Sequence, residues 1–136
     1  MTSSPPSPTR ILVVDDDDDI RETLRQVLAD EGYAVDTAMN GLEALNQLRS
    51  ATPPPSLILL DLMMPVLNGF EFQLAKSRDP LLASIPVIIV SASLDARART
   101  RSMHPIGVLE KPISLEALLA SVARHAPLTP DRAPLG

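Results

Sequence analysis

The chain has 136 residues, no cysteine and a formal net charge of −5. That length carries one ordinary hydrophobic core. The lack of cysteine excludes disulfides and thiolate metal sites, and the acidic balance argues against sequence-independent nucleic-acid binding. No apolar run approaches the ~20 residues of a membrane-spanning helix, and the opening M-T-S-S-P-P-S-P-T-R lacks the apolar segment of a signal peptide. A cytoplasmic location, with no direct nucleic-acid or membrane partner, is the expectation.

Residues 1–9 are rich in Ser and Pro and read as a disordered arm. Ile11-Leu12-Val13-Val14 is a short, mostly β-branched apolar run, the first strand. Five aspartates, Asp15 to Asp19, follow it. Ile20, Leu24, Val27 and Leu28 then fall at i, i+4, i+7 and i+8, the stripe of a helix lying on a core. Asp18 or Asp19 can cap that helix and Gly32 can end it. Tyr33 to Ala38 is a weaker strand, suited to a sheet edge. Asn40 with Glu43 resembles a capping box, and Leu42, Leu45 and Leu48 give the next helix its apolar side. Pro53-Pro54-Pro55 then stops the pattern.

Leu57 to Leu60 is uninterrupted and apolar, which reads as a strand buried on both faces. It runs directly into Asp61. Pro65 cannot continue a sheet, and Asn68-Gly69 is a turn that can start a helix through about Arg78. Phe70, Phe72, Leu74 and Ala75 give that helix an untidy stripe. Val87-Ile88-Ile89-Val90, led in by Pro86, is the fourth strand and ends at Ser91. Leu94 to Met103 suits neither a clean helix nor a buried strand, because Arg97, Arg99 and Arg101 alternate with small residues. Gly107 to Glu110 is a short fifth strand ending at Lys111-Pro112. Leu115, Leu118, Leu119, Val122 and Ala123 stripe a last helix, capped by Ser114. The domain is expected over residues 10–126, with a tail at 127–136.

The order is strand then helix, repeated, so the crossovers make the sheet parallel and place helices on both faces. The C-terminal tips of all strands then share one edge, where ligands of this architecture bind. Asp15 and Asp16, Asp61, Ser91 and Lys111 meet there. Crowded carboxylates repel and take up protons unless a cation intervenes. Oxygen donors without nitrogen or sulfur suit Mg²⁺, with Mn²⁺ as the alternative. Beside such an ion Asp61 can stay ionised as a nucleophile toward a phosphoryl group, whose oxygens Lys111 and Ser91 would share with the metal.

With I-L-V-V-D-D-D, L-I-L-L-D-L-M-M-P-V-L-N-G-F-E, V-I-I-V-S-A and L-E-K-P in this order, the chain resembles the CheY-like receiver domain of two-component response regulators over roughly residues 10 to 126. The resemblance implies a flavodoxin-like fold, three layers with a five-stranded parallel sheet in the order 2-1-3-4-5. It implies that Asp61 is the phosphoacceptor, that Asp16, Asp61 and the backbone carbonyl of Met63 hold Mg²⁺ directly, and that Asp15 acts largely through a water. Ser91 and Lys111 would contact the phosphoryl group, and the Lys111–Pro112 bond would be cis. The donor would be a sensor histidine kinase or a histidine phosphotransfer protein, and the output a contact with a further protein or onward relay. Such a domain assists its own phosphorylation and dephosphorylation but is not an enzyme in the ordinary sense. With only a short tail after the last helix, no attached output domain is expected.

Val108 departs from the family, which carries an aromatic ring there that swings with the hydroxyl of the fourth strand. A valine cannot make that swing, so Ser91 and Val108 mark an unusual output route. The Ser91–Lys111 segment is also short. The alternative is therefore a receiver-fold docking or scaffold module that works without phosphorylation. Met63 and Ser93 stand where the family tunes phosphate loss, and neither would position a hydrolytic water, which implies a long-lived phospho-form. An aspartate-nucleophile phosphatase fits less well, because Met63 occupies the place of its second acid. A dinucleotide domain is disfavoured by the absence of G-x-G-x-x-G after the first strand. Asp17 to Asp19, His104 and His125 read as solvated or capping groups. The three arginines read as a solvated face or a docking surface.

Overall fold

The computed structural model describes residues 9–51, 53–64, 66–92 and 96–128. Of the arm expected at 1–9 and the tail at 127–136, residues 1–8 and 129–136 lie outside the described residues, as do Thr52, Pro65, Ser93, Leu94 and Asp95. The elements run β1 (Arg10–Val14), α1 (Asp18–Asp30), β2 (Ala34–Ala38), α2 (Gly41–Ser50), β3 (Leu57–Asp61), α3 (Gly69–Ser77), β4 (Val87–Ser91), α4 (Ala96–Arg99), a 3-10 turn (Arg101–Met103), β5 (Gly107–Glu110) and α5 (Leu115–His125). The five strands form one sheet in the order β2-β1-β3-β4-β5, with every pairing parallel. This is the flavodoxin-like arrangement expected from the sequence.

Successive side chains on a strand point to opposite faces, and here both faces are covered. Leu12, Val14, Ile58, Leu60 and Ile89 join Ala44, Leu45, Leu48 and Phe72 of α2 and α3 in one layer. Ile11, Val13, Leu57, Leu59, Ile88 and Val90 join Leu24, Leu28, Leu118 and Val122 of α1 and α5 in the other. Hence β3 and β4 are buried along their whole length, while edge strand β2 buries only Ala38. An alternating polar pattern would have left one face wet.

Three expectations about helix faces change. Leu42 and Leu115 are about half exposed, and Ala123 is exposed, so the cores of α2 and α5 rest on Ala44, Leu45, Leu48, Leu118 and Val122. Asp17, not Asp18 or Asp19, caps α1, accepting from the N–H groups of Asp19 and Ile20. The helix therefore starts at Asp18, and the Asp17 N–H in turn donates to Asp15 Oδ1. Asn40 accepts from the Glu43 N–H, but Glu43 reaches back to the Met39 N–H, so the capping box is offset by one residue. The full reciprocal box sits at Asn68 and Glu71, at the start of α3.

Gly69 is where α3 closes on the end of β3. A Cβ there would stand 2.8 Å from the Asp61 carbonyl oxygen and 2.8 Å from the Leu62 Cα. Both are backbone atoms and cannot yield as a side-chain tip would. Gly69→Ala should therefore cost about 1–3 kcal/mol, the usual range for overpacking, read by urea denaturation; an unchanged midpoint would refute the close-approach account.

Lys76, on the inner side of α3, is 1% exposed and donates to the Ala83 carbonyl at 3.1 Å. Among the described residues no carboxylate pairs with it, and burial lowers its pKa from 10.5. A base with a folded pKa below its unfolded one gains stability as pH rises through the window between them. Lys76→Met should raise stability at pH 7 by about 1 kcal/mol, the low end for replacing buried charged groups by apolar ones of similar volume. The wild type should close that gap as pH approaches 10.5. Denaturant titrations at several pH values check the direction.

Candidate functional site

The site begins where β1 runs out of apolar residues. The Asp15 N–H still bonds the Ala38 carbonyl of β2 at 3.1 Å, so Asp15 stays in line with the sheet. Its carboxylate is buried, and both oxygens are engaged: Oδ1 accepts from the Asp17 N–H at 2.9 Å and Oδ2 from Lys111 Nζ at 3.0 Å. Asp16, the next residue, is exposed. Asp61 ends β3 beside Val90 of β4 and is 5% exposed. Its Oδ1 accepts from the Met63 N–H at 3.3 Å, and its Oδ2 lies 3.5 Å from Lys111 Nζ. The Met63 side chain itself points to solvent, 64% exposed.

Ser91 ends β4 and is fully buried. Its carbonyl accepts the Lys111 N–H at 2.8 Å, which fastens the end of β5 to the end of β4 and sets Lys111 at the rim. The Lys111–Pro112 bond is cis. The structure thus brings Asp15, Asp16, Asp61, Ser91 and Lys111 to one edge. Val108 is not at this edge. It lies mid-strand in β5, opposite Ile89, buried in the layer facing α2 and α3.

Burial, followed by repulsion from Asp15, pushes the Asp61 carboxyl up to about 6, against the opposing pull of Lys111 and the Met63 N–H. For Lys111, burial works against the ammonium, but Asp15 and Asp61 outweigh it and its pKa rises. One cation serves two buried acids, and a third acid is adjacent. Carboxylate oxygens of Asp15, Asp16 and Asp61, one from each, all lie within 4.8 Å of one another. An all-oxygen set with surplus negative charge fits a hard divalent cation such as Mg²⁺.

The comparisons with known proteins agree with this geometry. Residues 11–123 match the family model described as the response regulator receiver domain. The chain is 39% identical over 132 residues to the response regulator MprA of Mycobacterium sp. (strain KMS), covering 93% of this chain and 55% of the relative. Against MprA of Mycobacterium avium (strain 104) it is 41% identical over 115 residues, covering 82% and 48%. Among solved structures, the Vibrio cholerae chemotaxis protein CheY4 superposes with a TM-score of 0.78 at 32% identity, covering 86% of this chain and 98% of that one. A response regulator receiver protein from Pseudomonas putida gives a TM-score of 0.79 at 26% identity, covering 90% and 99%.

This chain belongs to the response regulator receiver family. Response regulator receivers serve two-component signalling and interact with histidine kinases or phosphotransfer proteins. The chain spans about half the length of the curated relatives it matches. No helix among the described residues is long and apolar enough to cross a membrane.

Two features of this receiver were not anticipated. A groove of about 280 Å³ opens beside Lys111, lined by Ile20, Thr23, Leu24, Pro112, Ile113 and Leu115. Arg21 reaches from α1 to the Asp15 carbonyl, at 2.8 Å. The only signal in the sequence was its spacing of three residues from Asp18, with which it pairs. Of the expected arginine face, Arg99 stacks 5.3 Å over the Phe70 ring and Arg101 is exposed. His104 sits in a left-handed turn with φ 51° and is exposed, and His125 falls in the last turn of α5.

The surplus charge gives a direct test. In EDTA at pH 7.5, Asp61→Asn should raise the melting temperature by a few degrees, because it removes a charge that burial and Asp15 disfavour. Mg²⁺ should then raise the melting temperature of the wild type more than that of Asp61→Asn. Equal shifts in the two proteins would remove Asp61 from the metal set.

Proposed function

We propose that the domain is a phosphorylation-dependent switch in which Asp61 accepts a phosphoryl group from a phosphohistidine. The observation that carries this reading is Asp61 itself: a nearly buried carboxylate at a strand tip, 3.5 Å from an ammonium and beside two further acids. In the transfer, an Asp61 oxygen forms a bond to phosphorus as the N–P bond of the donor breaks. The bonding pair returns to the imidazole nitrogen. Asp16, Asp61 and the Met63 carbonyl would hold Mg²⁺, with Asp15 acting through a water; the ion supplies positive charge against the phosphoryl oxygens. Lys111 adds a second cation and Ser91 a hydroxyl donor.

The donor is a sensor histidine kinase or a histidine phosphotransfer protein. The apolar groove between α1 and the β5–α5 connection supports docking of such a partner, because it opens at Lys111, where its histidine must arrive. The product is a domain with a changed protein-binding surface. Taking such a two-state equilibrium from 1:99 to 99:1 needs about 5.5 kcal/mol of differential stabilisation. New contacts from Lys111 and Ser91 to the phosphoryl group are the source. The domain assists its own phosphorylation and dephosphorylation and turns over no other substrate.

One observation favours a second reading, a docking module that needs no phosphorylation. Val108 is packed into the core with 8% exposure, and no ring at this position can report on Ser91. Incubation with acetyl phosphate and Mg²⁺ separates the two. The wild type should gain the mass of one phosphoryl group, and Asp61→Ala should gain none. A wild type that stays unmodified would transfer the assignment to the docking module.

A further inference from the structure

Arg21 has no part in the transfer described above, yet it grips the backbone of the acidic pocket. It lies in the first turns of α1, and its side chain is 16% exposed. One end of the guanidinium, Nη1, donates to the Asp15 carbonyl at 2.8 Å; the other, Nη2, pairs with the Asp18 carboxylate. The Asp15 carbonyl belongs to the peptide plane that leads into Asp16, so fixing that oxygen fixes the N and Cα of Asp16 as well. On the other side, the Asp17 N–H is held by Asp15 Oδ1 at 2.9 Å, and the Asp17 carbonyl accepts the Arg21 N–H at 2.9 Å. Asp16 is the exposed acid of the cluster. Both peptides that flank it are therefore anchored, one of them by Arg21.

We propose that Arg21 is a positioning residue: its fork orients the Asp15–Asp16 peptide, keeps the Asp16 carboxylate directed at Asp15 and Asp61, and so sets the affinity of the cluster for Mg²⁺. This rests on reading the cluster as a Mg²⁺ site. The sign of the effect separates positioning from simple charge. Arg21 is a cation held on the backbone that carries Asp15 and Asp16, and by Coulomb's law alone its removal should tighten the binding of another cation at their cluster. Positioning predicts the reverse. Groups that orient metal ligands from behind are typically worth about 10–100-fold in metal affinity. Charge alone is not sufficient for the role, because a lysine ammonium is a point donor and cannot serve a carbonyl and a carboxylate as a planar fork does.

The test is calorimetric titration of MgCl₂ into the full chain, wild type and variants, with phosphorylation by acetyl phosphate followed over a range of Mg²⁺ concentrations. Arg21→Met should weaken Mg²⁺ binding about tenfold and raise the Mg²⁺ needed for half-maximal phosphorylation by the same factor. The rate at saturating Mg²⁺ should stay near that of the wild type. Arg21→Lys should recover only part of the affinity. Arg25→Met is the control: Arg25 pairs with Glu22 one turn further along α1, so its loss removes the same charge from the same helix and should leave binding unchanged. Circular dichroism establishes folding, and if Arg21→Met is unfolded, Arg21→Lys decides. Equal or tighter Mg²⁺ binding by folded Arg21→Met, or wild-type binding by Arg21→Lys, overturns the proposal. A wild type that binds no Mg²⁺ overturns the proposal and the metal site together. A wild type that binds Mg²⁺ but takes no phosphoryl group overturns the phosphoacceptor reading alone, and the calorimetry still judges Arg21.

Discussion

The Lys111 ammonium, 3.0 Å from Asp15 and 3.5 Å from Asp61, is the interaction on which the acidic edge depends. Two buried carboxylates at neighbouring strand tips would otherwise repel each other where solvent screens poorly. The strand order makes this pairing demanding. β5 is separated from β3 by β4, so the lysine stem must pass the tip of β4 to reach Asp61. The Lys111 N–H on the Ser91 carbonyl starts the stem from the right place. One cation does not neutralise three acids, and the Asp61 carboxyl, raised first by burial and then by repulsion from Asp15, is only partly relieved by Lys111. The same shortfall of positive charge makes the edge receptive to a divalent cation.

The rest of the fold holds that edge still. Two apolar layers fix the sheet, so the strand tips have defined positions to within the packing of their own side chains. Above them the loops are tied by short polar links. Asp17 caps α1 while its own N–H rests on Asp15. Asn68 and Glu71 close a reciprocal box at the start of α3, and Gly69 lets that helix meet the end of β3. The Asp17–Asp15 bond and the close approach of Gly69 join the first turn of a helix to the end of the strand before it, which makes the functional rim an extension of the core.

What the sequence made legible follows from periodicity and topology. The four runs ending in Asp15, Asp61, Ser91 and next to Lys111 gave four of the five strands, and a parallel sheet can only bring their ends together. The acids, the hydroxyl and the lysine were therefore visible without any contact being known. Three kinds of detail were not. Which face of α2 and α5 turns inward depends on how the helix rolls on the sheet, so Leu42 and Leu115 were misplaced as core. Which aspartate in a run of five caps α1 has no signature of its own, because each carries the same acceptor, and the structure gives the role to Asp17. Side chain to backbone bonds such as Arg21 to the Asp15 carbonyl carry almost no signature in a sequence, because the acceptor is present at every residue.

The buried valine in β5 constrains how any change at Asp61 can travel. Val108 already faces the layer shared with α2 and α3, and a β-branched side chain in a strand has restricted χ1 choices. It cannot exchange between core and surface as a ring can. Connections from the acidic edge toward the outside include Lys111 itself, the Lys111–Ser91 bond between β5 and β4, and the apolar groove that Pro112, Ile113 and Leu115 line at the start of α5. On the opposite side of β5, α4 is only four residues long and is followed by a 3-10 turn. Arg99 at its end is held over Phe70 of α3. A new charge on Asp61 would draw directly on Lys111, and Lys111 is the first residue after β5. A change that travelled through Lys111 would therefore enter the β5–α5 connection, without needing a side chain that swings within β5.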